Sequence, residues 1–391
     1  MFWVLETILP YLKINKEVTK DNVSFRILTE LNFGIFVACS IFVGSTSLIG
    51  EPILCQYKGD SEPEAEFINT FCWIHGTRDL EDHIVSDECK PKHNDVIPSN
   101  GEKNDEEEKN KNLYYQWVVF MLLFSAVLFK IPTWIWSFLE NGLMKLFNSE
   151  NHLKNDMWNQ DEKEIEAKAE MQANSFRKIK GRNMTMVYYA KFMLCQMLAW
   201  VMLFVNFYLT DLFLDGSFKT YGSDVLNYFL TSAKDPKNPM CLVFPTKVGC
   251  PIKTGGSGGN SNKDSIYCIL SQNIINEKIY LVLWFWFYAL IGLLAFQVVL
   301  ELIILVSPFA RQLLIIPSLD KELFLTPANQ RFLSTCTIGD WFVLYQISKN
   351  NHQEYFFTFL GKLSEGYNEV VTNDTPTENY CNSMEKTQEE V

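Results

Sequence analysis

Six of the ten cysteines fall into two groups, Cys55, Cys72 and Cys89 in one and Cys241, Cys250 and Cys268 in the other. Thiols can ligate a metal, carry redox chemistry or form disulfides, and spacing selects among these. No C-x-x-C pair is present. His83, Cys89 and His93 lie near one another, yet the five histidines together do not form a metal-ligand spacing. Two separate clusters fit structural disulfides in an oxidising compartment, and the residues alone leave their pairing open. Other chemistry has no residues to carry it: H-E-x-x-H, G-x-S-x-G and Walker loops are absent. The glycine-rich stretch GGSGGNSN at 255–262 has no strand before it or helix after it, so it reads as a flexible tip instead of a phosphate loop. No enzyme, cofactor or resident metal is expected. The net charge of −12 argues against nucleic acid as a partner, which normally needs a basic face.

The elements that must position these cysteines are long apolar blocks, at 27–49, 115–138, 188–214 and 279–306. Each exceeds the roughly 20 residues that cross about 30 Å of hydrocarbon at 1.5 Å per residue. The blocks are apolar nearly all round, with Trp and Tyr at several ends, so membrane spans are expected and membrane lipid is an obligatory partner. The start of the chain lacks a basic segment and a small-residue cleavage site, so the first span is expected to serve as its own insertion signal. Lys130 and Glu301 fall inside spans, but toward ends where long side chains reach the interface or pair with each other, so neither reads as a transport relay.

Three observations orient the chain. The loop after the first span carries 7 Lys/Arg against 16 Asp/Glu over residues 51–113, whereas RKIKGR at 177–182 lies close before the third span and reads as cytoplasmic. The loop between the second and third spans has no cysteine. The sequons at Asn22, Asn183 and Asn373 avoid both cysteine-bearing loops. Both termini are therefore expected in the cytoplasm of a plasma-membrane protein, with two large loops outside.

The resulting division is an amino-terminal segment 1–26 at the cytoplasmic mouth, spans at 27–49, 115–138, 188–214 and 279–306, outer loops 50–114 and 215–278, and a cytoplasmic loop 139–187. A packed helical cytoplasmic domain follows at 307–367, with a polar, disordered tail at 368–391. Residues 79–112 are charged and peak in GEKNDEEEKNKN, which has almost nothing to bury and reads as a solvated insertion. In the first span Thr29, Asn32, Phe36, Ser40, Val43 and Ser47 recur every three to four residues on one face. Most of them are polar, so this face is the candidate pore lining; small-residue packing between helices is the competing explanation.

Several segments carry a family resemblance. IGEPILC at 49–55 resembles the innexin pattern IGDPI-x-C, and TFCWIHGT at 70–77 is similar to the stretch around the family's next cysteine. The second span opens on Tyr114, Tyr115, Gln116, Trp117 and Val118, the innexin signature YYQWV. NEKIYLVLWFWF at 276–287 and IGDWFVLY at 338–345 complete the series in family order. The match resembles insect-type innexins most. Connexins, tetraspanins, claudins and pannexins fit less well, because their cysteine or tryptophan patterns are missing or YYQWV and IGDWF favour innexin.

The resemblance implies an all-α four-span subunit of a large-pore channel, with small β content in disulfide-stapled outer loops. It also implies nested cross-loop bridges, Cys55 with Cys268 and Cys72 with Cys250, which leaves Cys89 and Cys241 to pair with each other. Subunits would form a homo-oligomeric ring, octameric by the resemblance, in which other innexins could also take part. Rings in apposed cells would dock as a gap junction passing ions and small molecules. The alternatives are an unpaired hemichannel or an adhesion protein.

Overall fold

The computed structural model describes residues 18, 20–56, 62–79, 113–147, 162–230, 238–255, 261–315 and 327–374. Among the described residues, four helical segments are long and apolar enough to cross a membrane: Val23–Thr46, Tyr114–Glu140, Met184–Phe213 and Ser271–Val306. The first runs through α1 (Val23–Arg26), a π-helical stretch (Ile27–Leu31) and α2 (Asn32–Ile49). After it come β1 (Leu54–Cys55), α3 (Glu62–His75) and β2 (Arg78–Asp79). The second span, α4 (Tyr114–Glu140), contains Pro132 without breaking, as neighbouring helices in a membrane protein allow. Then follow α5 (Leu143–Phe147), α6 (Glu162–Gly181) and the third span, α7 (Met184–Phe213).

Next come α8 (Phe218–Leu230), α9 (Pro239–Val243), β3 (Lys247–Gly255) and β4 (Ser261–Ile269). A strand does therefore lead into the glycine-rich stretch, contrary to the sequence-based expectation, and a second strand rather than a helix follows it. The fourth span, α10, covers Ser271–Val306. Its helix starts at Ser271 and not at Ile279, because a polar, helix-compatible segment extends it beyond the apolar block. The tail holds α11 (Pro308–Ile315), α12 (Pro327–Thr335), α13 (Ile338–Asn350) and α14 (Gln353–Asp374).

The chain forms two compact units. One comprises residues 26–132 and 198–295. It holds a four-stranded sheet in the order β1-β4-β3-β2, with every pairing antiparallel. Ile53, Cys72, Tyr115, Val248, Cys250, Cys268 and Leu270 form the core beneath the sheet. Among its helices, Phe36 meets Phe129 and Phe287 at ring separations of 5.3 and 5.8 Å, and Phe207 and Phe218 both close on Phe287. Aromatic pairs of this kind add to the area they bury.

The other unit comprises residues 1–25, 133–197 and 296–391. Its centre is α13, whose Trp341, Phe342, Val343, Leu344 and Ile347 are all buried. Thr337 and Asp340 close a capping box at its start, satisfying amides that a helix end leaves orphaned. The same Asp340 accepts the Thr185 hydroxyl at 2.7 Å and pairs with Lys180 at 3.6 Å. Phe342 packs against Tyr188, Tyr189 and Phe192. Gly339 lies against the backbone of Met186, where a Cβ would come within 2.6 Å of its Cα. Trp341 donates its indole N–H to the Arg311 carbonyl at 2.6 Å, so each of the last four residues of the IGDWF segment makes a specific packing or hydrogen-bonding contact. Nearby, Phe176 meets Phe359 edge-on and Lys362 pairs with Glu166 at 2.5 Å.

Candidate functional site: the disulfide-bonded sheet

Cys55 on β1 sits directly opposite Cys268 on β4, and a disulfide joins them with Cα atoms 4.0 Å apart. Cys72, in the last turn of α3, is bonded to Cys250 on β3 with Cα atoms 5.6 Å apart. Both bridges cross from the loop after the first span to the loop after the third. Three of the four sulfurs, those of Cys55, Cys72 and Cys268, lie within 4.8 Å of one another. Their lone pairs are not available as thiolates for a metal, because all three are committed to disulfides. Cys241 is also disulfide-bonded. Cys89 lies outside the described residues, as do His83, His93 and the acidic segment 102–111.

Backbone hydrogen bonds brace the same region. The amide of Gln56 donates to the Tyr267 carbonyl at 2.8 Å, and that of Leu270 to Thr246 at 2.7 Å. Asn69 accepts from the Cys55 amide at 2.9 Å, tying α3 to β1.

The start of α4 fastens this sheet to the spans. Tyr115 donates its hydroxyl to the Trp73 carbonyl at 3.2 Å, and the Gln116 amide donates to the same oxygen. Asn273, on the first turn of α10, donates to the Tyr114 hydroxyl at 2.7 Å and to the Pro245 carbonyl at 2.8 Å. Val118 is buried, whereas Trp117 is 60% exposed and faces away from the subunit. Sequence reasoning did not single out Asn273 or Trp73. Their signal was faint: one amide side chain in a polar lead-in, and one aromatic next to a cysteine.

The innexin family profile matches residues 21–367. Innexin inx2 of Drosophila melanogaster is 32% identical over 352 residues, covering 90% of this chain and 92% of that protein. Innexin inx1 of Schistocerca americana is 32% identical, covering 90% and 93% respectively. Innexin shaking-B of Drosophila melanogaster is 30% identical, covering 85% and 86%. The chain belongs to the innexin family. It is accordingly a four-span gap junction channel subunit, and the five sequence segments that resemble innexins are the ones that build its sheet, its span entrances and α13.

Within the single subunit of this innexin, the stripe expected to line the pore is packed against neighbouring helices. Thr29, Asn32, Phe36, Ser40 and Val43 are all buried within the single subunit; the side chain of Ser47 lies outside the described residues. Asn32 donates to the Leu28 carbonyl at 2.9 Å and accepts from the Trp286 indole at 2.7 Å. Ser40 donates to the Val119 carbonyl at 3.1 Å. A polar helical face can meet water or can meet partners on neighbouring helices, and sequence periodicity does not distinguish them. Here the partners are Trp286 and the α4 backbone, so the stripe packs. The opposite side of the helix, with Gly34, Ala38 and Ile41, is exposed.

The charges within the spans each have partners close by in the fold. Lys130 forms an ion pair with Glu30 in the π-helical stretch, with its ammonium 5.3 Å from the Phe33 ring centroid. Glu301 accepts from the amides of Gln196 and Gln297.

Proposed function

We propose that this gap junction channel subunit works in a closed ring, octameric by family resemblance, that docks with a ring in an apposed membrane through its disulfide-bonded loops. Ions and small metabolites would then pass directly between two cytoplasms. The observation that carries this reading is the pair of disulfides crossing between loops. They turn two connecting segments into one braced sheet, which a docking surface between cells needs because no bilayer supports it. Four spans are too few to enclose a wide aqueous path within one subunit, which supports a ring.

The loops with disulfides belong in the oxidising space outside the cell, so both termini and the α13 unit are assigned to the cytoplasm. On this reading Cys241 pairs with Cys89. The pore face of the first span is assigned to the exposed strip with Gly34, Ala38 and Ile41, and Glu30 at its inner end. Imaging of the purified protein tests the assembly: rings, some paired face to face through the sheet-bearing ends, are expected. Monomers alone would remove the ring, and single rings at every concentration would favour an unpaired release channel.

A further inference from the structure

The third span does not lead straight out of the membrane. A turn through Asp215 and Gly216, both with positive φ, folds the chain back on itself. The ring of Phe218, the first residue of α8, meets Phe207 at 5.6 Å, Phe287 at 5.8 Å and Tyr280 at 6.2 Å. Phe207 lies about 9 Å below the end of its helix at 1.5 Å per residue. The start of α8 is therefore level with the outer turns of the spans, not above them. Trp284 and Tyr288 on α10 both donate to the Lys219 carbonyl, at 3.1 and 3.2 Å. Trp284 is buried against α8, whereas Tyr288 is 42% exposed with its hydroxyl anchored, as suits a tyrosine at a bilayer boundary.

Residues around α8 divide into three sectors. Phe218, Tyr221, Gly222 and Val225 are buried against the subunit. Thr220, Asp224 and Asn227 form a polar, exposed sector. Between them, on the side that also carries Lys219, lies a flank that no part of the described chain covers, with Leu226 42% and Leu230 79% exposed. Phe229, 69% exposed, continues the buried side past the end of its cover. The outer part of the adjoining span is also apolar and exposed, with Tyr208 at 64% and Leu212 at 61%. A helix with one side on protein, one apolar flank and one polar face has the pattern of an interfacial helix.

We propose that α8 lies in the membrane–water boundary, with Leu226, Phe229 and Leu230 set among the lipid acyl chains of the adjacent leaflet. Asp224 and Asn227 then face water, and Lys219 reaches the headgroups. This placement requires the four-span fold but not docking, so it stands or falls separately from the junction itself.

The test is site-specific photocrosslinking of the full-length oligomer in phosphatidylcholine vesicles. A benzophenone amino acid replaces Leu226, Leu230 or Asn227 in turn, all of them exposed positions. Lipid adducts, detected by mass spectrometry, are expected at Leu226 and Leu230 and not at Asn227. Subunit–subunit adducts at Leu230 would assign the flank to a second copy of the chain and overturn the proposal. Absence of lipid adducts at Leu226 and Leu230 would place the flank in water and overturn it equally.

Discussion

The indole of Trp284 occupies the space that a side chain on Gly222 would need, so α8 and α10 touch through a glycine. Here the glycine serves close approach and not a special backbone angle. Gly222→Ala forces either the ring or the helix to move, and overpacking of this kind costs about 1–3 kcal/mol. The expected outcome is a lower thermal midpoint for the solubilised oligomer. Combining it with Trp284→Leu, which vacates the space, should recover part of the loss. An unchanged midpoint in Gly222→Ala would mean that the two helices can separate freely.

The bridge between Cys72 and Cys250 predicts a non-additive pair. A native disulfide typically contributes about 2–4 kcal/mol by restricting the unfolded chain. Cys72→Ser and Cys250→Ser each break the same bond, so each single variant should lose as much stability as the double variant. Melting of surface-expressed, affinity-purified protein measures this. A double variant markedly less stable than either single would show that the serines act through something other than the bridge.

Ser40 and Ala38 lie two residues apart on opposite sides of one helix. Ser40 is buried with its hydroxyl on Val119, whereas Ala38 is exposed. During current recording, a water-soluble thiol reagent should leave Ser40→Cys unaffected and reduce the current of Ala38→Cys. A block at Ser40→Cys with none at Ala38→Cys would restore the buried stripe as the pore face.

In the α13 unit, burial pushes the Cys336 thiol up to about 12, a rise that nearby Lys180 only partly offsets. A free thiol ordinarily titrates near 8.5, and the thiolate is the reactive form. Cys336 should therefore resist alkylation at pH 8 in the folded protein and react once the protein is denatured. Peptide mapping after pulse labelling reads the difference. Rapid modification in the folded state would mean that α12 and α13 open readily.

How far the sequence discloses this structure varies with the physics behind each feature. Span length and apolarity are properties of single segments, so the four spans could be read directly. The partners of Cys55 and Cys72 lie 213 and 178 residues away, and no local pattern encodes such pairing; only the family resemblance supplied it. The first span shows the limit most clearly. The spacing of Asn32 and Ser40 correctly placed them on one face, yet their partners, Trp286 and the Val119 carbonyl, belong to other helices. The sheet was equally hidden, because β1 and β2 are two residues each and take their strand geometry from the β3–β4 hairpin.

The central claim is that the disulfide-bonded loops join two cells. Dual voltage clamp of paired cells, each expressing this chain and verified by surface labelling, measures it directly. The account predicts a junctional current in pairs where both cells express the protein, lost when Cys72→Ser replaces it in either cell. Surface-expressed protein that releases dye from single cells but never passes current between pairs would contradict the claim.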